Sequence, residues 1–144
     1  MRDLEQLARI AIDCSFAIHR DIGPGLLESV YEDLLSVAIE QRGLRVERQK
    51  AISFTYNGKM FRDSFRADLL IDENLLIELK SVERTAPVHV KQVLTYIRLL
   101  EMPLGLLINF GTATFKEGIQ RVLNTRVDLS KIELTRYKTP FGKA

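Results

Sequence analysis

The stretch "FRADLLIDENLLIELKSV" (residues 65–82) decides the fold. It holds two aliphatic runs separated by "DEN" (72–74), a turn signal between strand-like segments. Charge interrupts both runs: Asp68 in the first, Glu78 and Lys80 in the second. Side chains alternate along a strand. Leu75, Ile77 and Leu79 therefore face one way, and Leu76, Glu78 and Lys80 the other. Asp68 shares its face with Leu70 and Asp72. A hairpin turning about Glu73 sets Asp68 opposite Glu78, with Cβ atoms about 4.5–5.5 Å apart; a bulge at the turn would shift that register. Two carboxylates so close repel when both are charged, and a divalent cation between them removes the conflict. Oxygen donors without thiolates favour Mg²⁺ or Mn²⁺ over structural zinc. Lys80, one alternate position beyond Glu78, is placed to hold an attacking water or to stabilise charge on a phosphoryl oxygen. The same spacing also suits a solvated strand face with Asp68 as a cross-strand partner. Spacing alone leaves both readings open.

Working outward, the segment from Leu44 to Val82 is rich in β-branched and aromatic residues, with turn signals at "NG" (57–58) and "DEN". It predicts three sequential antiparallel strands. Before it, a helix is expected from about Asp3 to His19, with Asp3 and Gln6 as a capping pair. "DIGPGLLE" (21–28) breaks the chain, Gly23 and Gly25 allowing a tight turn. A second helix then runs to about Arg42, with Gly43 as its stop and Leu27, Tyr31, Leu34 and Ala38 as its core side. After the strands, Thr85 is the expected cap of a third helix that tolerates Pro87 in its first turn. "PLGLLINF" (103–110) reads as a core strand. A short helix around 116–123 and a last strand around 131–137 complete the expectation. Helices before, between and after the strands predict a single layered α/β or α+β domain over residues 1–144.

Composition bounds the function. The chain has 144 residues, enough for a real core, and 46% hydrophobic residues, too many for a disordered tail. A net charge of +2 permits a nucleic-acid partner without demanding one. The lone cysteine, Cys14, excludes an intrachain disulfide framework, and its place on an apolar helix face predicts an inert core thiol. No apolar run reaches membrane-spanning length and no cleavage pattern marks a signal peptide, so a reducing, cytoplasmic location is expected.

Other candidates lie on the helices. His89, Gln92 and Tyr96 fall within one arc of the third helix, beside an apolar stripe of Val90, Val93, Leu94, Ile97 and Leu100. Gln92 suits donation to a phosphate or carboxylate, and Tyr96 suits stacking or hydrogen bonding. His89 alone reads more simply as a surface or capping histidine. Glu28 stands at the edge of the second helix's core side, within reach of a pocket against the sheet; favourable pairing with the helix N-terminus is its plainer role. Glu32 and Asp33 read as solvent-facing. Arg66 shares the face of Asp68 and suits a phosphate contact. The basic residues near the sheet as a group, Arg66 among them, also read more simply as an ordinary soluble surface.

Taken together, these motifs resemble a known family. "GLLESVY" (25–31) matches the signature of the GxxExxY proteins through Gly25, Glu28 and Tyr31. Asp68 with "ELK" (78–80) resembles the metal-binding core of the PD-(D/E)XK nuclease superfamily. "HVKQVLTY" (89–96) resembles the glutamine-and-tyrosine helix motif of one of its branches. Ala67 stands where the superfamily's name has proline, a position that supplies no ligand. The resemblance implies a mixed central β-sheet flanked by helices. It implies Asp68 and Glu78 as metal ligands, Glu28 as the helical acid that helps hold the metal, and Lys80 as the catalytic lysine. Arg66, His89, Gln92 and Tyr96 are then the candidate substrate-binding residues. The implied activity is Mg²⁺- or Mn²⁺-dependent hydrolysis of phosphodiester bonds, in DNA before RNA. A nucleic-acid-binding or protein-interaction module on the same fold is the alternative. A homodimer presenting two sites would suit duplex DNA.

Overall fold

The computed structural model describes residues 2–126. Its elements run α1 (Leu4–Ile22), α2 (Glu28–Gln41), β1 (Val46–Tyr56), β2 (Lys59–Ile71), β3 (Leu75–Lys80), α3 (Pro87–Leu99), β4 (Leu104–Asn109), α4 (Phe115–Gly118) and β5 (Ile119–Leu123). The expected strand around 131–137 lies outside the described residues. The strands form one five-stranded sheet in the order β1-β2-β3-β4-β5. β1, β2 and β3 are sequential antiparallel neighbours. The α3 crossover returns the chain so that β4 lies parallel to β3, and β5 closes the far edge antiparallel. The sheet is therefore mixed, with helices on both faces.

Two cores follow from strand alternation. Leu69, Ile71, Leu75, Ile77 and Leu79 pack beneath α1 and α2, against Leu7, Ala11, Tyr31, Leu35 and Ile39. Leu70, Leu76 and Leu107 pack on the other face, against Val93 and Ile97 of α3. Cys14 is buried in the first core, and burial raises its thiol pKa, as suits an inert thiol. Among the described residues no helix is long and apolar enough to cross a membrane.

The capping pair forms as the spacing implied. Asp3 Oδ1 accepts from the Gln6 N–H at 2.9 Å, and Gln6 Oε1 accepts from the Asp3 N–H at 2.9 Å. Between α1 and α2, Gly25 takes φ +119°, a conformation L side chains rarely adopt. The Tyr31 hydroxyl reaches back over this turn, donating to the Gly23 carbonyl at 2.5 Å and accepting from the Leu26 N–H at 3.3 Å. Its ring stacks on Phe110 at 4.5 Å. The glycine and tyrosine of "GLLESVY" thus set where α2 begins, and with it where Glu28 stands. Leu27, expected in the core, is 74% exposed, because it precedes the helix instead of lying on its packed face.

Two other expectations are corrected. Thr85 is not the cap of α3: the N-cap is Ala86, with Pro87 at the helix start, and Thr85 Oγ1 accepts from Asn109 Nδ2 at 3.0 Å. The helix expected over 116–123 ends at Gly118, and "IQRVL" (119–123) continues as β5. The open edge of β4 offers it backbone partners, from Ile108↔Ile119 to Leu104↔Leu123.

Candidate metal and phosphodiester site

β2 and β3 pair through Leu69↔Ile77, Leu70↔Leu76 and Ile71↔Leu75. The next step of that register sets Asp68 against Glu78, where side chains replace the ladder. The Asp68 N–H donates to Glu78 Oε1 at 3.2 Å, and the Leu79 N–H donates to Asp68 Oδ2 at 2.8 Å. The β2–β3 register runs to the turn without a shift, so the two acids stay opposed; a separate irregularity lies in the β1–β2 pairing, between Ile52 and Phe54.

A backbone feature of β1 brings the long hairpin round to this point. Val46 packs with the α1/α2 core and Ile52 with the α3 core, although strict alternation would keep both on one face. Between them Gln49 has φ +48°. On β2 the same exchange separates Leu69 from Ala67. The hairpin therefore changes face at the Gln49–Asp68 level. Gln49 Nε2 donates to Asp68 Oδ1 at 3.1 Å and also to Glu32 Oε1. Glu32, read from sequence as solvent-facing, is buried; its Oε2 accepts from Arg48 Nη2 at 2.8 Å and Nε at 3.1 Å. Glu32 and Gln49 thus brace Asp68. The sequence carried one signal for this role: Glu32 follows Glu28 by one helical turn.

Glu78 is 4% exposed. Burial first, then the Asp68 charge and side-chain hydrogen bonding with Asp68, push its pKa from 4.5 up to about 9, while the Asp68 N–H and the Lys80 charge pull the other way. Glu28 is exposed at the first position of α2, yet loss of hydration over its carboxyl raises its pKa too. The Asp68 and Glu32 charges add to that rise, and Lys80 opposes it. Tyr96 belongs to the same set: burial raises its pKa, as do the charges of Glu78 and Asp68, against the hydrogen bond from Gln92. Gln92 Nε2 donates to the Tyr96 hydroxyl at 3.0 Å, and the Tyr96 ring stacks on Phe65 at 4.0 Å. Val93 and Ile97 of the same helix are fully buried in the core. The expected division of α3 into a polar stripe and an apolar stripe is what the fold displays.

Glu28, Asp68, Glu78, Lys80, Gln92 and Tyr96 therefore form one neighbourhood built from α2, β2, β3 and α3. Arg66 is exposed at its margin, Nη1 donating to the Gln49 carbonyl at 3.1 Å. His89 takes a capping role: its Nδ1 accepts from the Ala86 N–H at 3.0 Å. Among the described residues no three His, Cys, Asp or Glu side chains gather into a group able to hold a metal ion. Glu28 is coupled to Asp68 by charge and does not complete such a group. Asp68 and Glu78 nonetheless suit a hard cation. Both offer carboxylate oxygens, their repulsion is what a cation relieves, and Mg²⁺ commonly binds through one or two carboxylates, with water and phosphate oxygens completing its shell. A cavity of about 620 Å³ is lined by Arg84, Thr85, Pro87, Val90, Lys91 and Gln120 among others; none of Asp68, Glu78, Lys80, Gln92 and Tyr96 lines it.

Comparison with known protein families agrees with this architecture. Residues 5–122 match the family model of the PD-(D/E)XK nuclease superfamily. No curated protein matches the chain. Among solved structures, the crystal structure of SSO0001 is similar, at 18% identity and a TM-score of 0.45, over 91% of this chain and 68% of the other.

Proposed function

Because the chain belongs to the PD-(D/E)XK nuclease superfamily, we propose that it is a metal-dependent nuclease that hydrolyses phosphodiester bonds, with DNA its substrate before RNA. Within the superfamily we assign it to the GxxExxY proteins, on Gly25, Glu28 and Tyr31. The observation that carries the activity is the opposition of Asp68 and Glu78, with Lys80 next along β3. These two carboxylates would hold Mg²⁺ or Mn²⁺, with Glu28 orienting the ion's outer contacts. When bound, such an ion supplies Lewis acidity and a more acidic water. Lys80 brings a positive charge to the phosphoryl oxygens, where negative charge grows in the transition state. Gln92 and Tyr96 offer amide and hydroxyl donors from the α3 side, positioned by each other and by Phe65.

A second reading is a nucleic-acid-binding module with weak or no turnover. It is favoured by the lack of a three-ligand group among the described residues, and by the two Asp68 oxygens already accepting from Gln49 and Leu79.

The test is cleavage of single-stranded, duplex and branched DNA, and of RNA, with Mg²⁺, Mn²⁺ or EDTA. Activity is expected only with metal, and Asp68→Ala and Lys80→Ala are each expected to abolish it while remaining folded. Activity that persists in both folded variants would refute the assignment. Tight, metal-independent binding without cleavage of any substrate would install the binding module in its place.

A further inference from the structure

β1 and β2 extend well beyond the sheet they belong to. They pair from Val46↔Ile71 out to Tyr56↔Lys59, whereas β3 joins β2 only at Leu69, Leu70 and Ile71. Residues 50–67 thus form a two-stranded arm, and among the described residues no third strand pairs with it. A bare hairpin is marginally stable in water. This one is anchored at its root, where Ile52 is buried in the α3 core and Phe65 stacks on Tyr96. Farther out, Phe54 stacks on Phe61 at 5.4 Å. Toward the tip the arm leaves large apolar side chains open to solvent: Tyr56 is 65% exposed, Met60 53% and Phe61 40%.

The arm also concentrates charge. Residues 50–67 contain Lys50, Lys59, Arg62 and Arg66 against one acid, Asp63, a net of +3. The whole chain carries +2, so all its other residues together sum to −1. Lys50 is paired with Glu47 at 3.0 Å. Among the described residues, Lys59, Arg62 and Arg66 form no ion pair.

We propose that this arm grips a single nucleic-acid strand, Lys59 and Arg62 contacting phosphates while Tyr56 and Phe61 stack on unpaired bases. The strand then passes Phe65 and Tyr96 to reach Asp68 and Glu78; that end point rests on the nuclease reading, and the grip itself does not. Charge selects the occupant. Two copies of an arm carrying +3 repel each other, whereas a polyanion complements each of them. Exposed rings favour an unpaired strand, because a base inside a duplex already has its faces stacked.

The full-length chain is held in EDTA, so that binding is read without turnover. Its affinity for a fluorescein-labelled thymidine oligonucleotide, and for a duplex, is measured by anisotropy over a series of salt concentrations. Lys59→Glu combined with Arg62→Glu alters exposed residues that form no ion pair among the described residues. This variant is expected to melt as the parent does, to bind the single strand more than about tenfold more weakly, and to lower the slope of log K against log salt by about 1.4. Tyr56→Ala is expected to weaken single-strand binding about fivefold or more, with the salt slope retained and duplex binding little changed. Unchanged oligonucleotide affinity in both variants overturns the proposal. So does sedimentation in which Tyr56→Ala splits a dimer while oligonucleotide binding stays intact, which assigns the arm to a second copy. If the parent binds through the arm but cleaves nothing, the nuclease reading falls and the arm stands. If cleavage depends on Asp68 while the arm variants bind as the parent does, the arm falls alone.

Discussion

Replacing Glu78 by glutamine should stabilise the metal-free chain at neutral pH. The Glu78 carboxyl is buried beside Asp68, with its pKa pushed from 4.5 up to about 9. Between those values the folded chain keeps a proton there that the unfolded chain releases. Unfolding therefore releases that proton, and stability falls as pH rises from about 4.5 to about 9. A full proton gives a slope of about 1.4 kcal/mol per pH unit, so at pH 7 this group has lowered stability by about 3 kcal/mol relative to pH 4.5. Glutamine does not titrate. Its carbonyl oxygen can still accept from the Asp68 N–H, and its amide can donate to the Asp68 carboxylate as the protonated acid does. For a chain of this size each kcal/mol moves the melting temperature by about 2–4 °C, so Glu78→Gln should melt about 6–12 °C higher at pH 7. Thermal unfolding followed by circular dichroism in EDTA, from pH 5 to pH 8.5, reads this directly. The two proteins should lie close together at pH 5 and diverge as pH rises. Added Mg²⁺ should then raise the melting temperature of the parent more than that of the variant, because only the parent keeps both carboxylates. Parallel pH profiles, or equal melting at pH 7, would refute the argument that Glu78 is a buried acid coupled to Asp68.

Other perturbations probe the supports of the site. Tyr96→Phe keeps the ring stacked on Phe65 and loses the hydroxyl that accepts from Gln92, so it should change stability by less than about 1 kcal/mol while weakening nucleic-acid binding or cleavage; unchanged melting, binding and cleavage would remove the hydroxyl from the site. Tyr31→Phe deletes the hydroxyl that ties the turn before α2 to Gly23 and Leu26, at about 1 kcal/mol and so about 2–4 °C of melting temperature. Parent-like melting would mean that the turn is held by other contacts. Gly111→Ala would bring a Cβ within 2.3 Å of the Val82 carbonyl oxygen; the backbone shift required should destabilise by about 1–3 kcal/mol in chemical denaturation, and a neutral result would show that this segment gives way easily.

Strand alternation and a short turn were enough to oppose Asp68 and Glu78, because both are local: an alternating strand on either side of "DEN" leaves few registers. The Asp3–Gln6 cap and the division of α3 were legible for the same reason, depending on residues three or four positions apart. What the sequence alone did not reveal depends on segments distant in the chain. β5 exists because β4 has an open edge, so "IQRVL" pairs instead of continuing a helix. Thr85 serves Asn109, which leaves the cap position to Ala86. Glu32 became a brace for Asp68 only when β1 was laid beside α2 and Gln49 took a left-handed conformation that exchanged the faces of the hairpin. The chemistry of the site, two acids and a lysine, is written in a few adjacent positions of β2 and β3. Their burial, the displaced pKa of Glu78 and the bracing of Asp68 belong to the tertiary structure, because dehydration and charge coupling arise only where helices and strands from the whole chain close over the same few ångströms.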